Sequence, residues 1–157
     1  MARTDYYQDP HAPQANNIVV AVTAFVLNDQ NDLLMIRRTD NNKYSIPGGA
    51  QDIGETIGHT VAREVKEETG YDVEATGLIG IYSDPAHIIS YANGEVRQEF
   101  SICFRARLIG GQPQTSSESK EVLWVSKNNI QALDIHSSIR LRIAHGFEFR
   151  ATPFFSN

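Results

Sequence analysis

A chain of 157 residues with 41% hydrophobic content fits one globular core, and its single cysteine, Cys103, excludes an internal disulfide or a cysteine-based zinc site. The net charge of −5 argues against a general nucleic-acid binder, which would carry a basic patch. No apolar run approaches the ~20 residues of a membrane helix, and the N-terminus lacks a secretory pattern, so a soluble, cytoplasmic protein is expected.

Residues 1–16 are polar, carry Pro10 and Pro13, and read as an extended arm. Tyr6 and Tyr7 would let that arm dock on the body or on a second subunit; a frayed terminus is the plain alternative. From Ile18 to Leu27 the chain is almost wholly apolar, interrupted by Thr23. A run without alternation predicts a strand covered on both faces, central in a sheet with helices on each side. Asn28 to Asp32 make a turn, and Leu33 to Ile36 give a second strand. Arg37, Arg38, Lys43 and Tyr44 then lead to Pro47-Gly48-Gly49. At this strand end Arg38 is either a phosphate contact or an ordinary surface arginine, and Tyr44 either stacks on a base or packs on a loop.

The stretch from Gly48 to Tyr71 organises the rest. A glycine pair and a short loop precede Ile57, Val61 and Val65, which recur every four residues, with Ala62 widening the stripe. Gly70 stands where a C-terminal glycine belongs, so a helix is predicted over about Thr56–Thr69. Glu64, Glu67 and Glu68 fall on one stripe beside its apolar face. Carboxylates three and four positions apart repel each other, and a hard divalent cation converts that repulsion into binding. Taken alone, the run would be an ordinary solvated acidic face. Its full spacing is Gly49, five residues, Glu55, seven residues, then Arg63-Glu64-Val65-Lys66-Glu67-Glu68-Thr69-Gly70-Tyr71. Over these 23 residues the chain resembles the signature of the Nudix hydrolases, which cleave a nucleoside diphosphate linked to another group. Tyr71 departs mildly from the aliphatic residue usual at the last position.

Beyond the helix, Val73 to Tyr82 predict a strand with bulges near Gly77 and Gly80, broken by Ser83-Asp84-Pro85. His87–Tyr91 and Glu95–Leu108 flank Asn93-Gly94, a strong hairpin signal. In the second arm Phe100, Ile102, Phe104, Ala106 and Leu108 alternate with Glu99, Ser101, Cys103, Arg105 and Arg107, which reads as a half-buried strand. Cys103 is expected to be a packing residue and His87 a surface one. Residues 110–120 form a long polar segment, often a functional feature in a compact domain, with Glu118 and Glu121 as its candidates. A strand over Glu121–Val125 follows. Ser126 is expected to cap a short helix holding Ile130 and Leu133, and Ser137 or Ser138 a last helix that stops at Gly146. His136 and His145 bracket that helix with no further role. The tail ends on Pro153-Phe154-Phe155, an exposed apolar pair.

These elements assemble as a mixed sheet between helices, and the resemblance implies the same α/β class, a Nudix-type α/β/α sandwich over residues 17–147, flanked by an arm (1–16) and a tail (148–157). It further implies that Glu64 and Glu68 bind Mg²⁺ directly, with Mn²⁺ as an alternative. Glu67 then assists and the Gly49 carbonyl completes the shell. Arg63 pairs with Glu55 to orient the helix, and the general base is Glu118, Glu121 or a glutamate of the box. Arg38, Tyr44, Pro85 and Arg97 are the candidate substrate contacts. Pro85, fifteen positions after Gly70, tilts the substrate towards ADP-ribose or a related nucleotide sugar. The runner-up is a pyrophosphohydrolase that removes oxidised nucleoside triphosphates, and a non-catalytic nucleotide-binding module comes last because all four box glutamates are kept. The expected partner is a small nucleotide rather than nucleic acid or membrane, and the aromatic residues at both termini would suit a homodimer.

Overall fold

The apolar run after the N-terminal arm becomes the middle of the sheet. In the computed structural model, which describes residues 2–157, β1 spans Arg3–Tyr7 and β2 spans Ala21–Leu27. β3 (Leu33–Arg38), β4 (Tyr44–Ser45) and β5 (Gly48–Ala50) follow, and then the glutamate helix α1 (Ile57–Thr69). Two long strands, β6 (Tyr71–Tyr91) and β7 (Val96–Gly111), lead to β8 (Ser119–Val125), α2 (Lys127–Ile130), α3 (Ser137–Glu148) and β9 (Phe154–Phe155). Among the described residues the strands make one mixed sheet in the order β1-β6-β7-β2-β3-β4. β5 is added to β2, β8 to β3 and β9 to β6. β2 runs parallel to β7, from Val22 opposite Ile102 to Leu27 opposite Arg107.

The continuous apolar character of β2 has the expected cause, since both of its faces are covered. Val22, Ala24 and Val26 pack with Leu34, Val61, Val65, Val73 and Ala106 beneath α1. Phe25 faces the other way, into a cluster with Met35, Ile46, Tyr82, Cys103 and Ile143 under α3. Val61 and Val65 have no exposed surface, and each such burial contributes about 1.5–3 kcal/mol. α1 starts where the Thr56 hydroxyl accepts the His59 N–H, and it stops where Gly70 turns left-handed at φ 80° and bonds back to the Lys66 carbonyl.

Several expectations are corrected. The strand begins at Ala21 rather than Ile18. Ile18 and Val20 are 59% and 39% exposed, because Asn16 and Asn17 are held away by hydrogen bonds to the Val96 carbonyl. Ser83-Asp84-Pro85 does not end β6. The pairing with β7 slips between Asp84 and Ile88, and this bulge absorbs the missing proline N–H. The slips at Gly77 and Gly80 stand as predicted. β7 is covered on both faces rather than one, so Ser101 and Cys103 are buried. The last helix is capped by His136, whose Nδ1 accepts the Ser138 N–H at 3.1 Å. It runs through Gly146 to Glu148, because the site of a Gly146 Cβ lies 2.3 Å from the Phe25 ring and only glycine lets the helix approach. His145 is buried and hydrogen-bonds the Tyr82 hydroxyl at 2.8 Å. His87 is 4% exposed rather than superficial.

The arm and tail add to the sheet. β1 pairs with β6 from Arg3–Tyr91 to Tyr7–His87, and Phe154 stacks on Tyr82. No helix among the described residues is long and apolar enough to cross a membrane.

Candidate active site

Two adjacent glycines let the glutamate helix approach the centre of the sheet. A Cβ on Gly48 would lie 2.1 Å from the Val22 carbonyl oxygen, and one on Gly49 would lie 2.4 Å from the Glu64 carboxyl. With that room, the Gly48 N–H donates to Glu68 Oε2 at 3.1 Å. Glu68 is 2% exposed, and burial pushes its carboxyl up to about 8, with the Gly48 hydrogen bond and the Arg38 charge opposing. Burial also raises Glu64, against the pull of Arg63.

Arg63 binds the box together. Its Nε reaches Glu55 Oε1 at 2.5 Å and its Nη2 reaches Glu55 Oε2 at 3.1 Å and the Ala50 carbonyl at 2.9 Å. Its Nη1 bonds Glu64 Oε1 at 2.8 Å and Glu67 Oε2 at 3.3 Å. The Arg63 hydrogen bond holds Glu55 down to about 2, so Glu55 stays ionised. In this arrangement no three His, Cys, Asp or Glu among the described residues converge as a metal site would require. The Arg63 fork occupies Glu64 and Glu67. The donor set still fits a hard cation: Glu64 and Glu68 are buried carboxylates one helical turn apart, and the Glu68 carboxyl is held by the Gly48 N–H rather than by an ion pair among the described residues.

The box opens onto a cavity of about 690 Å³, within the range of small-molecule sites. Glu64, Glu67, Gly49 and Arg63 line one end, with Glu118 beside them. The Glu118 backbone is pinned. Its carbonyl accepts the Thr39 N–H at 3.0 Å, its N–H donates to Ser116 Oγ at 3.2 Å, and the Thr39 hydroxyl holds the Ser117 carbonyl at 2.8 Å. Its charge adds to the upward push on Glu64 and Glu68. Arg38, Tyr44 and Arg97 line the cavity too. Arg38 is clamped by Asp40 at 2.9 and 2.7 Å, and Arg97 by Glu95 at 2.7 Å over the Tyr91 ring.

Two candidates lie elsewhere. Glu121 sits opposite Arg37 on β8, bonded to it at 2.8 Å, and is not a lining residue. Pro85 is exposed in the β6 bulge, outside the lining. Residues that sequence reasoning missed are His87, His136, Arg142, Glu99 and, from the arm, Arg3 and Asp5, all of which line the cavity.

A glutamate helix against a glycine pair, with an arginine fork joining its carboxylates, is the local structure of the 23-residue signature. Residues 17–145 match the family described as NUDIX domain. The chain belongs to the NUDIX family. It is 37% identical over 111 residues to a MutT-like protein of Streptomyces ambofaciens, covering 71% of this chain and 66% of that protein. It is 34% identical over 122 residues to an ADP-ribose pyrophosphatase of Methanocaldococcus jannaschii, covering 73% of this chain and 65% of that one. The chain thus covers slightly less than two thirds of these relatives' length. The crystal structure of an ADP-ribose pyrophosphatase from Streptococcus suis superposes with a TM-score of 0.67 over 88% of this chain and 98% of that one; at 20% identity it shows the shared NUDIX fold.

Proposed function

We propose that the protein is a divalent-metal-dependent pyrophosphohydrolase that cleaves the diphosphate bridge of ADP-ribose or a related nucleotide sugar. The observation that carries this reading is the pairing of two buried carboxylates, Glu64 and Glu68, with a polar cavity large enough for a nucleotide. The Methanocaldococcus jannaschii relative favours ADP-ribose. In this reading Glu64, Glu67, Glu68 and the Gly49 carbonyl hold Mg²⁺, or Mn²⁺ in its place. A divalent ion bound there supplies charge neutralisation of the diphosphate and a lowered pKa for bound water.

The remaining work belongs to the chain. Arg63, anchored on Glu55, keeps Glu64 and Glu67 in line. Glu118 takes the proton of the attacking water from a backbone held at Thr39 and Ser116. Oxygen from that water bonds to phosphorus as the bridging P–O bond breaks, releasing AMP and ribose 5-phosphate. Arg38, Arg97 and Tyr44 stand along the cavity to orient the substrate, with their charges pre-paired to Asp40 and Glu95.

The test is Glu68→Gln, which replaces a carboxylate able to bind a cation by an amide of nearly the same shape. Loss of Mg²⁺-dependent ADP-ribose hydrolysis with an unchanged circular dichroism spectrum is expected. A near-normal rate in that variant would remove the metal-site assignment.

A further inference from the structure

Five buried side-chain polar atoms have no hydrogen-bond partner among the described residues: Arg3 Nε, Thr23 Oγ1, His87 Nδ1, Ser101 Oγ and Arg142 Nε. All five belong to residues that line the one cavity already described. None lies on the glutamate helix. Thr23 has only the weakly accepting Cys103 thiol beside its hydroxyl. Buried polar groups are nearly always paired, so His87 Nδ1, Ser101 Oγ and Arg142 Nε, which lack even such weak neighbours, call for a partner from within the cavity.

The groups around them say what kind of ligand. Arg142 donates through Nη2 to Glu99 Oε1 at 2.7 Å, and Arg3 donates through Nη2 to Asp5 at 3.0 Å. Both cations are therefore neutralised already, and Arg3 Nε also faces the Asp40 carboxylate at 3.5 Å, so this wall suits an uncharged acceptor better than another phosphate. Asp5 accepts from His87 Nε2 at 3.2 Å, which puts the ring proton on Nε2 and leaves Nδ1 as an acceptor in the neutral ring. Ser101 and Thr23 can donate or accept. The subsite thus offers donors and acceptors side by side. His87 stacks on His136 at 4.7 Å, and the Tyr7 ring meets both edge-on at 5.5 and 5.0 Å. Arg3, Asp5 and Tyr7 all come from β1, outside the stretch 17–145 that matches the family.

We propose that this part of the cavity is a subsite for the uncharged, hydrogen-bonding end of the nucleotide, a base edge or sugar hydroxyls, with the N-terminal strand as one of its walls. It rests on the reading that the site takes a nucleotide, but not on which anhydride is cleaved.

Titration calorimetry of the wild type, Ser101→Ala and Asp5→Asn with AMP, dGMP and ribose 5-phosphate tests it. Ser101→Ala should weaken at least one probe about fivefold, the equivalent of about 1 kcal/mol for one hydrogen bond. Its melting temperature should not fall, because the lost hydroxyl has no protein partner; a purely structural role would lower it. Asp5→Asn should weaken the same probe, because a neutral amide oxygen holds the His87 Nε2–H less firmly than the carboxylate does. A loss confined to the two nucleotides assigns the subsite to the base, and a loss with ribose 5-phosphate assigns it to sugar hydroxyls. Unchanged affinity for every probe in both variants, or no binding of any probe by the wild type, would overturn the subsite. Hydrolysis of triphosphates but not ADP-ribose would remove only the substrate reading.

Discussion

Gly48 and Gly49 are neighbours, yet adding a methyl group to each should have opposite consequences. In Gly49→Ala the new Cβ would stand 2.4 Å from Glu64 Cδ and Oε1 and 2.6 Å from Oε2. That separation cannot persist, but the obstacle is the end of a flexible side chain, so Glu64 swings away and the fold survives. The movement breaks the 2.8 Å ion pair between Arg63 and Glu64 and takes a proposed metal ligand out of line. A charge-assisted hydrogen bond of this kind is worth about 1.5–3 kcal/mol, so turnover or metal affinity should fall roughly 10- to 100-fold. In Gly48→Ala the Cβ meets the Val22 carbonyl oxygen at 2.1 Å and the Thr23 Cα at 2.8 Å. These are backbone atoms of the central strand and have nowhere to go. Overpacking there should cost about 1–3 kcal/mol or more and lower the melting temperature by roughly 4–10 °C. The assay is a Mg²⁺ titration of ADP-ribose turnover beside a thermal melt for each variant. Wild-type turnover and Mg²⁺ requirement in Gly49→Ala, or wild-type stability in Gly48→Ala, would refute this account of the glycine pair.

Glu118→Gln should slow turnover by about 10²-fold with substrate affinity retained, whereas Glu121→Gln, which weakens the Arg37 pair and keeps an amide oxygen for the Tyr44 hydroxyl, should stay near wild type; the reverse ranking would move the base to β8. Burial would raise the Asp5 carboxyl, but hydrogen bonds and charge from His87 and Arg3 outweigh it and hold Asp5 down to about 2. A depressed acid stabilises the fold above its unfolded pKa and stops doing so as pH falls through the folded one. The stability gap between wild type and Asp5→Asn should therefore shrink by about 2 kcal/mol between pH 4 and pH 2, measured by urea melts. A gap independent of pH would separate Asp5 from His87. Gly146→Ala should lose about 1–3 kcal/mol through its collision with the Phe25 ring, visible as a lower melting temperature with the NUDIX box undisturbed.

The glutamate helix was legible because its signals are local. The four-residue apolar period and the Gly70 stop lie within a few residues of what they determine, and only the role of Thr56 as the cap rather than the first helical residue came from the structure. The central position of β2 was legible for a similar reason, since an unbroken apolar run already implies cover on both faces. The cavity's other walls were not legible. Asp5 meets His87 only through the antiparallel pairing of β1 with β6, a contact separated by 82 residues in sequence. His87 itself looked superficial because Pro85 read as the end of a strand; the bulge instead carries β6 onward and turns His87 inward. Arg142 drew no notice in the sequence, and its pairing with Glu99 on β7 is what lets it be buried. An Arg–Glu pair split between a strand and a helix leaves no periodic signal.

The central claim is the reaction and its substrate. The most direct measurement is product analysis after Mg²⁺-dependent turnover of ADP-ribose, ADP-glucose, diadenosine polyphosphates, NADH and 8-oxo-dGTP at equal concentration. The account predicts preference for ADP-ribose with AMP and ribose 5-phosphate as the products. Preference for 8-oxo-dGTP with release of pyrophosphate would contradict the substrate, and no Mg²⁺-dependent turnover of any of the five would contradict the reaction itself.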